Sequence, residues 1–312
     1  MDIKGLARYI SACKKGGFMS EFKLLLQSLR NDLDGGQSAG FVETAIQGVR
    51  FFWSDFAAKR APMLYEAGII IIGQGHKIVH IDNRSCQYDS EHYLVVGMPS
   101  PVECETHASF ETPLLGIFID IDLTILNTLV ANIGQHESIN RFSEHELHHG
   151  IKPVSLNSDM KEVSLRLLKA MRSPMDAEAL GSGIVHEIFY RALLGEHGSA
   201  LYALTQHHSN YARIARALNH VHAHYMNTIS VDELAGHVHM STSAFYRTFK
   251  EITGESPLQY IKKTRLNKAK ALLTNDGIRA NAAASQVGYE SPSQFSREFK
   301  RYFGVAPTEA AN

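Results

Sequence analysis

Cysteine is scarce in this chain, with three residues, Cys13, Cys86 and Cys104, among 312. An odd number without C-x-x-C spacing supports neither a disulfide framework nor a thiolate metal knot, so all three are expected as reduced thiols. Long apolar runs are also lacking. The longest, such as Gly68 to Gly73, fall far short of the roughly 20 residues that a membrane-spanning helix needs. The N-terminus lacks the basic-then-apolar layout of a secretory signal, so a cytoplasmic protein with no membrane partner is expected. Nucleotide loops of the Walker or Rossmann kind are missing, and so is a credible Ser/His/Asp arrangement. These absences point away from an enzyme and leave neither a cofactor nor a metal to expect.

What is present is an ordinary globular composition, 44% hydrophobic and 20% charged, over a length that suits two domains. The net charge of −1 conceals a division. Residues 211–312 carry 13 Lys and Arg against 8 Asp and Glu, a net of +5, while residues 1–210 carry 18 against 24, a net of −6. A modestly basic C-terminal part suits a phosphate backbone, although such a surface is common on its own.

The strongest signal is a repeat. Ala235 and Val238 match Ala284 and Val287 at an offset of 49. After one inserted residue, Ser241, Phe245, Arg247, Phe249, Lys250, Gly254 and Pro257 match Ser291, Phe295, Arg297, Phe299, Lys300, Gly304 and Pro307 at 50. Each copy of such a repeat is usually one structural unit. In the first, Ser230 with Glu233 reads as a capping box for a short helix, and Ser241 caps a second helix that turns Phe245, Phe249 and Ile252 inward. In the second, Ser291 caps, Pro292 takes the first helical position, Gln294 reads as the partner of another capping box, and Phe295, Phe299 and Tyr302 turn inward. Two short helices with a polar, arginine-bearing outer face describe a helix-turn-helix, whose second helix reads base edges in the major groove.

On these residues the run from Ile229 to Pro307 resembles the AraC/XylS family of bacterial transcription regulators. The resemblance is carried by Val287-Gly288-Tyr289, Ser291, the stretch from Ser293 to Gly304, and Pro307 in the second unit. After the first unit, Ser256 to Leu266 matches the start of the linking helix. His239 stands where the family often has a turn glycine. The resemblance implies an all-α C-terminal domain with two helix-turn-helix units, promoter DNA and RNA polymerase as partners, and activation more than repression.

Residues 1–36 read as a helical extension that ends at Asp34-Gly35-Gly36. From Phe41 to Asp122 the pattern changes to short β-rich runs at Val49 to Trp53, Ile69 to Ile72, Lys77 to Ile81, Tyr93 to Val96 and Leu114 to Ile121, suggesting a small sandwich or barrel. Helices are expected at Leu123 to Gly134, Ser158 to Met171, Asp176 to Leu194, Ser199 to Gln206 and Ser209 to Asn227. This order is similar to AraC relatives with a cupin-like N-terminal domain. The implied fold is an α+β cupin-like β-barrel with helices over residues 37–206, followed by the DNA-binding domain over 209–312. The same resemblance implies a small organic effector and a homodimer. A ligand-independent regulator with a purely dimerising or protein-binding N-terminal domain is the alternative.

Between the units, a helix from Ser256-Pro257 to the Asn275-Asp276-Gly277 turn is expected to pack Leu258, Ile261, Leu266, Ala269 and Leu273 against both. For base contact the expected residues are Arg247 and Arg297, able to bond guanine bidentately, and Gln294, suited to adenine. Ser243, Tyr246, Ser293 and Ser296 are further candidates for bases or phosphates, and Lys250 and Lys300 for phosphate. Trp53, His80, Tyr88 and Tyr93 are candidates for an effector pocket. His-Glu-Leu-His-His at residues 145–149 matches the zinc-hydrolase pattern HExxH, with His145 and His149 as ligands. Gly150 and Pro153 would end that helix at its second ligand, and in a chain with 17 histidines the match is cheap. His220 and His224, four apart on a helix, read as a solvated face rather than a chelate.

Overall fold

The computed structural model describes residues 18–33, 35–81, 84–133, 151–274 and 277–310. Helix α1 (Phe18–Leu33) precedes nine strands: β1 (Ala39–Glu43), β2 (Val49–Ser54), β3 (Ala58–Tyr65), β4 (Gly68–Gln74), β5 (His76–Ile81), β6 (Arg84–Tyr88), β7 (His92–Val96), β8 (Ser100–His107) and β9 (Leu114–Asp120). Then come α2 (Leu123–Ile133), β10 (Ile151–Ser155), α3 (Ser158–Met171), α4 (Pro174–Leu194) and α5 (Gly198–Thr205). The C-terminal part is helical: α6 (Asn210–His224), α7 (Val231–His237), α8 (Thr242–Thr253), α9 (Pro257–Thr274), α10 (Ala280–Gln286), α11 (Pro292–Phe303) and α12 (Pro307–Ala310). Cys13, the HELHH segment with His145 and His149, and the Asn275-Asp276 part of the predicted turn lie outside the described residues.

The strands form two antiparallel sheets, a six-stranded one in the order β1-β2-β9-β4-β7-β10 and a four-stranded one in the order β3-β8-β5-β6. They face each other as a sandwich, and no strand pairing among the described residues closes them into one ring. Ile70, Ile72, Leu94, Val96 and Phe118 of the larger sheet meet Val79, Tyr88 and Val102 of the smaller. The opposite face of the larger sheet presents Ile69, Ile71, Val95 and Ile117 to α1 and the helices that follow β10. All seven residues of β4 are therefore buried, which is why the run from Gly68 reads as unbroken apolar sequence.

Sequence patterning found the central strands and missed β1, β3, β6, β8 and β10. Those five carry polar or exposed residues on one face. In β8 only Val102, Cys104 and Thr106 turn fully inward, and two of those three are not typical strand hydrophobics. Strand β10 contains Pro153 and lies at a sheet edge, where a missing N–H is tolerated. Helix α4 starts two residues before the predicted Asp176, because Ser173 accepts from Asp176 N and Pro174 takes the first position. The α1 helix is part of the core and not an appendage: Phe22, Leu25, Leu26 and Leu29, on one helical stripe, are all buried.

Three buried clusters stand out among the described residues. One fills the space between the sheets. Another runs without a break from α1 across the larger sheet and the following helices to Phe245, Phe249, Tyr260 and Ile261. The third gathers Leu266, Ala269, Leu273, Ala284, Val287, Phe295 and Phe299. No helix among the described residues is long and apolar enough to cross a membrane.

Candidate nucleic-acid interface

Helices α7 and α8 form the first helix-turn-helix, α10 and α11 the second. In the first, Ser241 Oγ accepts from Ala244 N at 3.4 Å, and Thr242 Oγ1 donates to Asp232 Oδ1 at 2.6 Å, which ties the start of α8 back to α7. The expected capping box at Ser230 does not form, since that side chain makes no capping bond. In the second unit Ser291 Oγ accepts from Gln294 N at 3.3 Å. The Gln294 side chain does not return to the Ser291 backbone as a capping box would require. It reaches forward one turn to Glu298. Both recognition helices stop at a left-handed glycine, Gly254 at φ 80° and Gly304 at φ 78°, whose N–H bonds back to Lys250 O and Lys300 O at 2.9 Å.

The inner and outer faces separate cleanly. Phe245 and Phe249 are buried with ring centroids 5.4 Å apart, and Phe295 and Phe299 repeat the arrangement at 5.5 Å. On the outside, Ser243, Tyr246, Arg247 and Lys250 are exposed on α8, and Ser293, Gln294, Ser296, Arg297 and Lys300 on α11. All nine residues singled out for nucleic acid thus lie on the two outer faces. Helix α9, 18 residues or about 27 Å long, connects the units. Ile261 belongs to the cluster of the first unit, and Leu266, Ala269 and Leu273 belong to that of the second. Leu258, expected inside, is half exposed instead. It sits in the first turn of α9.

Helix α9 also touches the N-terminal part, a contact with no sequence signal. Tyr260 Oη donates to Pro99 O at 2.9 Å and lies 2.7 Å from His222 Nε2. A phenol has one proton to give, so His222 donates from Nε2. Burial, reinforced by the nearby Lys268 charge, lowers its pKa to about 4. Lys268 Nζ stands 3.6 Å from Glu66, which pairs with Arg50 at 2.8 Å, and Arg50 also holds Asp120. Against the cost of burial, Arg50 and Lys268 keep the Glu66 carboxyl below its usual range. Beside these groups lies a cavity of about 560 Å³, lined from both parts by Glu66, Asp120, Asn127, Arg216, His222 and Lys268 among others.

The four residues expected at an effector pocket are not brought together. Trp53 and Tyr93 are buried in the cluster that faces the helices. Tyr88 is buried between the sheets, its hydroxyl 2.6 Å from that of Tyr65. His80 lies on the outer face of the smaller sheet, 2.7 Å from Glu105. None of the four lines the cavity at the junction.

The family model described as the AraC-type transcriptional regulator N-terminus matches residues 45–200, half of the chain, and a helix-turn-helix domain model matches residues 234–312. The probable transcriptional regulator LumQ of Photobacterium leiognathi is 36% identical over 90 residues, 29% of this chain and 36% of that protein. The lactose operon transcription activator of Staphylococcus xylosus is 30% identical over 96 residues, 31% of this chain and 34% of that protein. The chain spans about a third of the length of the curated relatives it matches. Among solved structures, unsaturated fatty acid bound wild-type ToxT from Vibrio cholerae strain SCE256 aligns with a TM-score of 0.59 at 14% identity, covering 88% of this chain and 95% of that one. That likeness is one of fold. With the N-terminal match, the duplicated helix-turn-helix and its two arginine-bearing faces together, the chain belongs to the AraC-type family of DNA-binding transcription regulators.

Proposed function

We propose that the outer faces of α8 and α11 read a promoter, with Arg247 and Arg297 bonding guanine edges and Gln294 an adenine. Ser243, Tyr246, Ser293 and Ser296 contact bases or phosphates, and Lys250 and Lys300 neutralise phosphates. The observation that carries this reading is the separation of faces: every one of these side chains is exposed while the phenylalanines between them are buried. Residues 209–312 act as the DNA-binding domain, residues 37–206 as the effector and dimerisation domain, and residues 1–36 as its N-terminal extension. The protein works in the bacterial cytoplasm as a homodimer that recruits RNA polymerase. The lactose operon activator among its relatives supports activation over repression.

The effector binds in the cavity at the junction, whose volume of about 560 Å³ falls in the usual range for small ligands. ToxT is known in a fatty acid complex. Here the walls carry Glu66 and Asp120 beside Arg216 and Lys268, which favours a small organic molecule with both charge signs over an alkyl chain. A ligand there bridges the two parts and stabilises one arrangement of them, as a switch requires.

The test is binding of the full chain to duplexes selected from a random library. Arg247→Ala and Arg297→Ala should each lower specific affinity by about 1–3 kcal/mol and relax preference at one base pair, leaving non-specific binding nearly unchanged. Loss of affinity equally for all sequences would sink the base-contact assignment. For the effector, a compound that raises the unfolding temperature of wild type should do so far less for Arg216→Ala. An equal rise in both would remove the cavity from the proposal.

A further inference from the structure

The second recognition helix carries a device that the first lacks. Glu298, one helical turn after Gln294, has a side chain only 13% exposed. Three donors from three elements meet its carboxylate: Tyr289 Oη at 2.8 Å, Gln294 Nε2 at 3.2 Å and Lys262 Nζ of α9 at 3.2 Å. In the first unit the equivalent positions are Ala244 and Thr248, which have neither an amide nor a carboxylate.

We propose that Glu298 is a positioning residue for DNA readout, fixing which end of the Gln294 amide is presented to the base. The inference rests on Gln294 being a base contact. An ionised carboxylate only accepts hydrogen bonds, so the end of the amide that faces it must be the NH₂. Against the cost of burial, the three donors hold the Glu298 carboxyl below its usual range, which keeps it ionised at neutral pH. A flipped amide would set carbonyl oxygen against carboxylate oxygen. One N–H is thereby engaged, and the other N–H and the carbonyl oxygen remain for DNA. That ordered donor and acceptor pair complements N7 and the N6 amino group of adenine. Against guanine, whose N7 and O6 both accept, the same pair places oxygen opposite oxygen. An amide free to turn would offer both hydrogens and lose the distinction. Lys262 joins the network from the linking helix, so the orientation of the amide also depends on how α9 sits against α11.

The experiment uses the full chain and a randomised duplex library, followed by competition between duplexes that differ by A or G at the one position Gln294 reads. Wild type is expected to prefer adenine there by about tenfold or more. Glu298→Ala should bring the ratio close to one without altering preferences at other positions, and Glu298→Gln should give an intermediate ratio. Comparing ratios cancels any general gain in affinity from removing a negative charge near phosphate. If Gln294→Ala abolishes the preference but Glu298→Ala retains it, the positioning role is overturned and the base contact stands. If Glu298→Ala does not fold, an unchanged ratio in Glu298→Gln overturns the role in the same way. If Gln294→Ala retains the preference, the base contact fails and the inference falls with it.

Discussion

The two helix-turn-helix units are built on one plan and anchored in different ways. The buried residues of the first, Leu234, Val238, Phe245 and Phe249, are continuous with the core of the N-terminal part, and Phe249 meets Tyr260 edge-on at 5.7 Å just where Tyr260 bonds Pro99. Those of the second form a cluster of their own around the far half of α9. The first unit thus shares its buried core with the N-terminal part, whereas the second has a core of its own and meets that part through α11, which lies against β3. A shift carried by packed side chains should therefore register first in the unit that shares the N-terminal core.

Emptying either core should have a severe and local effect. Phe249→Ala and Phe299→Ala each remove a fully buried ring and should cost about 3–5 kcal/mol. Amide hydrogen exchange should locate the damage. Phe299→Ala is expected to lose protection in α10 and α11 while α7 and α8 keep theirs, and Phe249→Ala should weaken protection in α6 as well as in its own unit. Equal loss over both units in either variant would mean that the clusters are not separate cooperative bodies.

Acid acts at the junction where Tyr260 and His222 meet the N-terminal part. The folded protein holds His222 neutral with a pKa of about 4, and an unfolded chain would protonate it near 6.5. Its contribution is therefore complete above about pH 6.5 and drains away as the pH falls toward 4, because the unfolded state takes up a proton that the folded state refuses. Between pH 7 and pH 5 the loss should be about 2 kcal/mol, seen as a lower urea midpoint. In His222→Gln, which keeps an N–H for Tyr260, that part of the pH dependence should vanish. A midpoint equally pH-sensitive in both proteins would show that the histidine does not carry it.

Why these contacts were illegible in the sequence follows from what carries them. The recognition faces could be read because a helix repeats every 3.6 residues and the duplication doubled the evidence: Phe245 and Phe295 point inward and Arg247 and Arg297 outward by spacing alone. The strands β4, β7 and β9 could be read because burial on both faces makes them apolar throughout. By contrast, the bond from Tyr260 to Pro99 joins residues 161 apart through a backbone carbonyl, which has no sequence signature. The effector candidates failed to assemble for a related reason. Aromatic residues such as Trp53, Tyr88 and Tyr93 suit a pocket and a core equally, and only the packing of two sheets decides between them. Glu298 stood four residues from Gln294, within reach on a helix, yet the capping-box pattern drew the glutamine in the other direction.

The smallest effect lies at the left-handed position of the turns, a histidine in the first unit and a glycine in the second. His239 sits at φ 55° between α7 and α8, and Gly288 occupies the same place at φ 82° between α10 and α11. The backbone there is left-handed, and an L-residue pays about 1–2 kcal/mol that glycine does not. A side chain at 288 meets a second obstacle, since its Cβ would fall 2.5 Å from the carbonyl oxygen of Met226. Gly288→Ala should therefore destabilise the second unit by more than the ~1–2 kcal/mol of backbone strain alone. His239→Gly should stabilise the first by about 0.5–1 kcal/mol, less than the full strain because glycine frees the unfolded chain. Thermal unfolding of the two variants checks the pair. If His239→Gly lowers the unfolding temperature, the imidazole is making a contact worth more than the strain it bears, and the first turn would be held by a side chain where the second is held by backbone alone.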